Sequence, residues 1–170
     1  FNQEDIISKG HAIEARVYAE DPSNNFLPST GQLIANDIKM NDNIRWDSGI
    51  EEGMTIGTDF DPMLAKVIAH GTDRKDAAEK LANELESIHF GGFTNNIEFL
   101  RNILVCHPFL NGETTTNFID LYEPESEIVL SNDELNSLAI TAALWLQGYN
   151  RNNANTLKNL PSGWHNARLA

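Results

Sequence analysis

The stretch "MLAKVIAHGTDRKDAAEKLANELESIHFGG", residues 63–92, joins two side-chain patterns that belong to different kinds of secondary structure. Its first nine residues are mainly apolar, follow Pro62 and end with Gly71, which predicts a strand, although a helix can begin in the same way. After Thr72 or Asp73, either of which can be the N-cap, apolar residues recur at helical spacing up to Gly91–Gly92. The stretch predicts a strand followed by an amphipathic helix, whose stripe is Ala77, Leu81, Leu85 and Ile88.

Upstream of this stretch the sequence has the period of two that strands show. Residues 11–20 alternate polar and apolar side chains, as a strand with one buried face does. Residues 21–31 are rich in proline, asparagine and glycine and predict a loop. Residues 32–38 and 43–50 predict a pair of strands joined by a polar turn.

Downstream of the stretch the pattern is helical. Residues 94–108 predict a second helix, capped by Thr94 or Asn95 and closed by Pro108. Residues 113–122 predict a third, weaker helix, because three consecutive threonines lose side-chain freedom in a helix. Strands followed by helices predict an α+β fold, in which an antiparallel sheet is followed by packed helices.

The character of the chain changes at residues 123–134, which gives a first domain at 1–122 and a second region at 123–170. The second region contains a predicted helix at about 132–147, capped by Ser131 or Asn132, and it forms a short helical C-terminal extension. Because the chain starts without a methionine and in the middle of ordinary sequence, we expect a fragment of a longer protein. The apolar face of the helix consists of Leu135, Leu138, Ala142 and Trp145.

Composition argues against several classes of function. The formal charge of −13 repels nucleic acids and anionic membrane surfaces, so neither is an expected partner. No apolar run approaches the roughly 20 residues that cross a bilayer. The single cysteine, Cys106, excludes an internal disulfide framework and fits the cytoplasm or an organelle matrix. We interpret Cys106 as a small buried apolar residue, since it ends a helical stripe.

Few motifs in the sequence carry chemistry of their own. It has no glycine-rich phosphate loop and no His-Glu-x-x-His spacing, and we expect no metal site within the chain. Glu14 and Arg16 lie two apart on a predicted strand, and we interpret them as a structural ion pair. Asp59 and Asp61 could act as paired carboxylates, but Asp61 before a proline is more typical of a turn that leads into a strand.

Arg45 opens the segment "RWDSGIEEG", residues 45–53, and allows two interpretations. The guanidinium can pair with Asp47 or Glu51 on a solvated face. Alternatively, it can direct a permanently charged donor fork at an anionic centre in a cleft. Composition does not decide between the two.

Three long motifs taken together resemble a known family. They are "GHAIEARVYAEDPSNNFLPSTGQL", "RWDSGIEEGMTIGTDFDPMLAKVIAHGTDR" and "GGFTNNIEFLRNIL…HPFLNGETTTNFID". In order and spacing they resemble the C-terminal domain of biotin carboxylase, as found in the biotin-containing alpha subunits of acyl-CoA carboxylases, over about residues 9–122. The remaining stretch is similar to the region that follows biotin carboxylase in propionyl- and methylcrotonyl-CoA carboxylases, with His165 where that family often has Arg.

The resemblance implies a ligase half-reaction in which biotin is carboxylated with ATP and bicarbonate, assisted by Mg²⁺ or Mn²⁺. It assigns to Arg45 a catalytic and biotin-binding role, which is to stabilise the enolate-like oxygen of deprotonated biotin, with Trp46 and Asp47 setting its orientation. Implied partners are the rest of the biotin carboxylase chain, a biotinyl domain, a carboxyltransferase subunit and a second copy in a homodimer.

This chain departs from the family in several ways. The region that binds ATP, metal and bicarbonate is missing, so we expect the chain alone to be inactive. The biotin attachment motif is missing too, since only half of it stands around Lys39, and some relatives have a tyrosine pair where this chain has Asp59 and Phe60. The alternative function is a non-catalytic module for dimerisation or subunit assembly in the same complex.

Overall fold

The computed structural model describes residues 1–37, 44–127 and 130–154, and it describes residues 35–37 by their backbone alone. The strands are β1 (His11–Tyr18), β2 (Glu20–Asp21), β3 (Leu27–Pro28), β4 (Gly31–Gln32), β5 (Ala35–Asp37), β6 (Ile44–Ser48), β7 (Thr55–Ile56), β8 (Met63–Gly71) and β9 (His89–Gly91). The α-helices are α1 (Arg74–Ser87), α2 (Ile97–Val105), α3 (His107–Leu110), α4 (Phe118–Tyr122) and α5 (Asn132–Asn152). The α+β prediction is confirmed.

The main sheet is antiparallel and has the order β1-β8-β6. The apolar run of residues 63–71 is therefore its central strand, and the interpretation of this run as the start of a helix is wrong. Along β8, Val67 lies opposite Ala15 of β1 on one side and Trp46 of β6 on the other. The pairing shifts register between Val17 and Tyr18. The predicted strand at 11–20 is confirmed over β1.

One face of this sheet packs against α1 and forms the core, because every second side chain of each strand points toward the helix. The packed sheet residues belong to the same buried cluster as the apolar stripe of α1. The sheet contributes Ala15, Val17, Ile44, Val67 and Ala69, and α1 contributes Ala78, Leu81, Ala82 and Leu85.

Helix α1 begins where the sequence predicts and ends earlier. Asp73 is the N-cap, and its carboxylate accepts a hydrogen bond of 3.0 Å from the backbone N–H of Asp76. The helix ends at Ser87, so the prediction that Gly91–Gly92 closes it is wrong. Residues 89–91 leave the helix because they pair as β9 with β5.

The predicted pairing of residues 32–38 with residues 43–50 is wrong. In the described residues, β5 pairs with β9 and β6 pairs with β8. β4 pairs with β7 instead. The predicted turn that joined the two strands, together with residues 38 and 43, lies outside the described residues.

Helices α2 and α4 are shorter than predicted, whereas α5 runs five residues beyond its predicted end. Helix α2 has Asn96 as its N-cap, and Asn95 contributes a carboxamide oxygen that accepts from the N–H of Ile97 at 3.1 Å. Pro108 does not close α2 but stands in the first turn of α3, where a missing N–H costs nothing. The weak third helix is confirmed only over α4.

The chain divides into two compact units, residues 1–128 and 129–170. In the second unit, α5 begins with a capping box in which Ser131 and Glu134 bind each other's backbone N–H groups. No helix in the described ranges is both long and apolar enough to cross a membrane.

Candidate functional site

Strand β6 places its side chains alternately on the two faces of the main sheet. Ile44 and Trp46 point toward α1, where Ile44 is buried and Trp46 packs against the core. Arg45 and Asp47 therefore lie on the other face, which we call the open face. β6 is bound to β8 on one side and is an edge strand of the described sheet.

The guanidinium of Arg45 is bound in a fork by a carboxylate of its own strand. Its Nε donates to Oδ1 of Asp47 and its Nη2 donates to Oδ2, each at 3.0 Å. The side chain of Arg45 is 73% exposed. The solvated pairing is therefore present, and a large part of the cation stays accessible beyond it.

Neighbouring strands place further charges on the open face. Ile68 of β8 lies opposite both Arg45 and Glu14, and Lys66 lies opposite both Asp47 and Arg16. We define the charged cluster as Glu14, Arg16, Arg45, Asp47 and Lys66.

Two further contacts join members of the charged cluster in pairs. Arg16 Nε donates to Oε1 of Glu14 at 2.9 Å, as the sequence predicts, and Lys66 Nζ lies 3.9 Å from Oδ2 of Asp47. Because the cluster has three basic and two acidic residues, its own net charge is positive, whereas the net charge of the chain is −13.

Hydrogen bonding within the cluster shifts the pKa values of the two β6 residues in opposite directions. The bonds from Arg45 hold the pKa of the Asp47 carboxyl below its usual value, and the charge of Lys66 adds to this effect. The same bonds raise the pKa of the Arg45 guanidinium. Arg45 is therefore a fixed cation and Asp47 a fixed anion at neutral pH.

Behind the sheet, Trp46 makes a contact that the sequence does not reveal. Its indole Nε1–H donates to Oε1 of Glu84 in α1 at 2.9 Å. Glu84 is only 6% exposed and is one of two buried polar residues in the described part of the chain. The burial of Glu84 could have been predicted from the sequence, because residue 84 stands next to Leu85 and three residues after Leu81. A side chain at this position borders the apolar stripe of α1.

A cavity of about 490 Å³ lies among the residues that follow β6 and precede β8, and its wall includes Asp59, Phe60 and Asp61. The carboxylate of Asp61 accepts from the N–H of Met63 at 2.9 Å, which is the predicted turn before a strand. Phe60 is 89% exposed. The burial of Glu20 and the nearby charge of Asp61 raise the pKa of Glu20.

Other candidate groups are not assembled into a site by the described residues. No cluster of three or more His, Cys, Asp or Glu that could hold a metal ion occurs among them. Cys106 follows α2 and is half-buried rather than buried as predicted, and its thiol donates to the carbonyl of Ile103 at 3.0 Å.

Comparison with known proteins identifies this arrangement of sheet and helices. A family model described as "Biotin carboxylase C-terminal domain" matches residues 14–121. The chain therefore belongs to the biotin carboxylase C-terminal domain family, which biotin-dependent carboxylases share.

Individual relatives come from several kinds of enzyme. Urea amidolyase of Saccharomyces cerevisiae is 38% identical over 125 residues, which are 74% of this chain and 7% of that protein. The mitochondrial propionyl-CoA carboxylase alpha chain of Homo sapiens is 35% identical over 149 residues, which are 85% of this chain and 20% of that protein. The domain therefore occurs in enzymes that act on different substrates, and the chain spans a fifth or less of the length of these two relatives.

A solved structure supports the same conclusion. The biotin carboxylase domain dimer of Hydrogenobacter thermophilus 2-oxoglutarate carboxylase, in complex with MgADP, ADP and bicarbonate, is 28% identical. The two structures superpose with a TM-score of 0.73, and the matched region covers 76% of this chain and 29% of the relative.

Proposed function

We propose that this chain is part of a biotin-dependent acyl-CoA carboxylase and forms one wall of the site in which biotin is carboxylated. The observation that carries the proposal is the exposed guanidinium of Arg45 in a locally basic cluster of an acidic chain. Two of the relatives that cover most of this chain are alpha subunits of propionyl- and methylcrotonoyl-CoA carboxylases, and both are named as mitochondrial. The expected compartment is the cytoplasm, or the mitochondrial matrix in a eukaryotic cell.

The proposed role of Arg45 follows from its charge and its placement. Bound biotin would supply a ureido nitrogen that accepts CO2 released from carboxyphosphate. Removal of the ureido proton, by a base that the resemblance places outside this chain, would first leave negative charge on the carbonyl oxygen. A guanidinium cannot lose its own proton at neutral pH, so Arg45 can hold that charge without taking part in proton transfer. Asp47 binds the N–H of Nε and one N–H of Nη2, which leaves both N–H groups of Nη1 and the second N–H of Nη2 as donors available to a ligand.

We place the residues that would bind ATP, bicarbonate and Mg²⁺ or Mn²⁺ in another part of the carboxylase, outside this chain. No cluster of three or more potential metal ligands occurs among the described residues. We therefore assign no part of metal binding to this chain. The other expected partners are the rest of the biotin carboxylase chain, a biotinyl domain and a carboxyltransferase subunit.

Replacement of Arg45 by alanine in the complete carboxylase tests the proposal. We expect carboxylation of biotin to fall about 10²–10³-fold, as on loss of one charge-stabilising donor, with little change in ATP binding. The control is Arg101→Ala, which removes an arginine outside the charged cluster that also pairs with carboxylates, those of Glu86 and Glu98, and it should keep wild-type turnover. Equal turnover of the Arg45→Ala variant and the wild type would remove Arg45 from the site.

The 170-residue chain by itself should be inactive. We expect no biotin-dependent cleavage of ATP by the purified chain, because the resemblance places the region that binds ATP, metal and bicarbonate outside these 170 residues. Phosphate release, measured with and without biotin, checks this expectation, and release that depends on biotin would refute it.

A second candidate function is dimerisation or subunit assembly. It is favoured by the apolar side chains that α5 exposes, among them Leu138 at 55%, Leu144 at 63% and Trp145 at 67%. The structural relative in complex with MgADP is itself described as a dimer. Self-association of the chain, rather than its turnover, distinguishes this function from the first.

A further inference from the structure

The buried carboxylate of Glu84 has a partner that links it to the open face. A carboxylate removed from water loses favourable solvation unless charged or hydrogen-bonding groups replace that water. Among the described residues, the group that donates to this carboxylate is the indole N–H of Trp46. A leucine at position 84 would extend the apolar stripe without this cost, so stability alone does not account for the glutamate.

The position of Arg45 depends on its strand, because its own bonds do not fix it to the rest of the sheet. Both of its hydrogen bonds go to Asp47, which lies on the same strand. The contact from Asp47 to β8 is the 3.9 Å approach of Lys66, which is too long for a hydrogen bond. Arg45 therefore lies where β6 holds it.

Strand β6 is held on two sides, by the backbone pairing with β8 and by the packing of Ile44 and Trp46 on the core. The bond from Trp46 to Glu84 is the directional part of that packing, since it fixes the indole against one residue of α1. A shift or rotation of this edge strand breaks the bond and moves Arg45 on the opposite face by a similar distance.

We infer that Glu84 is a positioning residue for biotin carboxylation, which acts through Trp46 to fix the direction of the Arg45 guanidinium. This inference rests on the proposed function of Arg45. Misplacement of a catalytic group by about 1 Å can cost as much as 10²-fold in rate. The rigid link from α1 through the indole to β6 prevents such a displacement.

The link itself is tested on the 170-residue chain by the ¹H–¹⁵N signal of the Trp46 indole. We expect slow hydrogen exchange of this indole in the wild type and in Glu84→Gln, whose amide oxygen still accepts the bond. Exchange should become fast in Glu84→Leu, whereas the exposed control Glu79→Leu should match the wild type. Fast exchange in the wild type, or slow exchange in Glu84→Leu, would overturn the inference.

The consequence for Arg45 is tested in the complete carboxylase with free biotin as substrate. We expect Glu84→Leu to lower kcat/KM for biotin about 10-fold, and Glu84→Gln to restore most of it. In an Arg45→Ala background, Glu84→Leu should add less than about twofold, because the two residues act through the same group. If Glu84→Leu does not fold, Trp46→Phe removes the donor and keeps an aromatic ring, and it should show the same loss.

The outcomes separate this inference from the proposed function. A large loss in Arg45→Ala together with wild-type kcat/KM in folded Glu84→Leu overturns the positioning role and leaves the role of Arg45 intact. Additive losses in the double variant overturn it too, because Glu84 would then act independently of Arg45. Wild-type activity of Arg45→Ala overturns the proposed function, and the positioning role with it.

Discussion

At the scale of single residues, Arg45 and Asp47 form a pair that is exposed but geometrically complete. Exposed ion pairs contribute little to folding, since solvent screens them and two long side chains must be ordered. The forked geometry instead restricts the guanidinium to one orientation. The pair is therefore better explained by the direction it gives to a charge than by the stability it adds.

The pKa of Asp47 offers a direct measure of this pair. Arg45 lowers the folded-state pKa, so the contribution of the pair to stability is complete above the unfolded-state pKa, about 3.9. It is lost as the pH falls through the lower folded-state value. We expect Arg45→Gln to raise the pKa of Asp47 toward its usual value, as followed by NMR titration of the carboxyl carbon.

The matched control for this titration is Arg16→Gln, which removes the arginine that is bound to Glu14. It should leave the pKa of Asp47 almost unchanged. An equal rise in both variants would mean that Asp47 senses the general charge of the open face rather than its own hydrogen bonds.

At the scale of elements, two glycines control how the short strands meet. Gly92 has φ +112°, which residues with a side chain rarely adopt, and a Cβ there would overlap the carbonyl oxygen of Gln32 in β4. Gly31 has a similar constraint, because a Cβ there would overlap the carbonyl oxygen of Gly92. The two backbones thus approach each other at a distance that leaves no room for a methyl group.

Substitution of Gly92 by alanine should therefore destabilise the first unit strongly. We expect a loss of roughly 3 kcal/mol in the free energy of unfolding, from the positive φ and the overlap together. The control is Gly112→Ala, which has φ +83° but open space around the new Cβ, and it should cost only about 1 kcal/mol. Urea unfolding followed by circular dichroism measures both, and equal losses would show that close approach is unimportant at Gly92.

Several of the helices and strands could be predicted from local sequence patterns, but the pairing of the strands could not. The alternation in β1 and the helical stripe of α1 are determined by neighbours in sequence, so both elements follow from the residues alone. The partners of β5 and β6 are distant strands, and the period of two states only which side chains share a face. Glycines 91 and 92 resemble a helix end locally, whereas Gly92 serves a contact with Gln32 sixty residues earlier.

The same limit applies to the candidate site. The period of two along the strand places Arg45 and Asp47 on one face, and the family motif singles out Arg45. Lys66 and Glu84 were missed, because their roles come from cross-strand register and from the packing of α1 on the sheet. The catalytic role of Arg45 stays a prediction.

At the scale of the whole molecule, the core and the helical extension belong to different units. All buried apolar residues of the described chain precede residue 119. Helix α5, in contrast, contains no buried residue over its 21 positions. Folding of the first unit and association of the chain should therefore depend on different segments.

A chain shortened to residues 1–122 separates the two properties. We expect it to keep the thermal midpoint of the first unit, because its buried core is intact, and to lose the self-association of the 170-residue chain. Sedimentation velocity over a range of concentrations measures the association, and Trp145→Ser in the full chain should weaken it as well. Undiminished self-association of the short chain would place the contact within residues 1–122 instead.

Alternate side chains of β6 serve the core and the open face, and this has a consequence for how the strand can evolve. Alternate positions are under separate selection, one set for packing and hydrogen bonding behind the sheet and the other for charge in front of it, so single replacements can be accepted one at a time. A change in length cannot, since one inserted or deleted residue would exchange the two sets and bring Arg45 into the core. Among related chains, we therefore expect no insertion or deletion between residues 44 and 48.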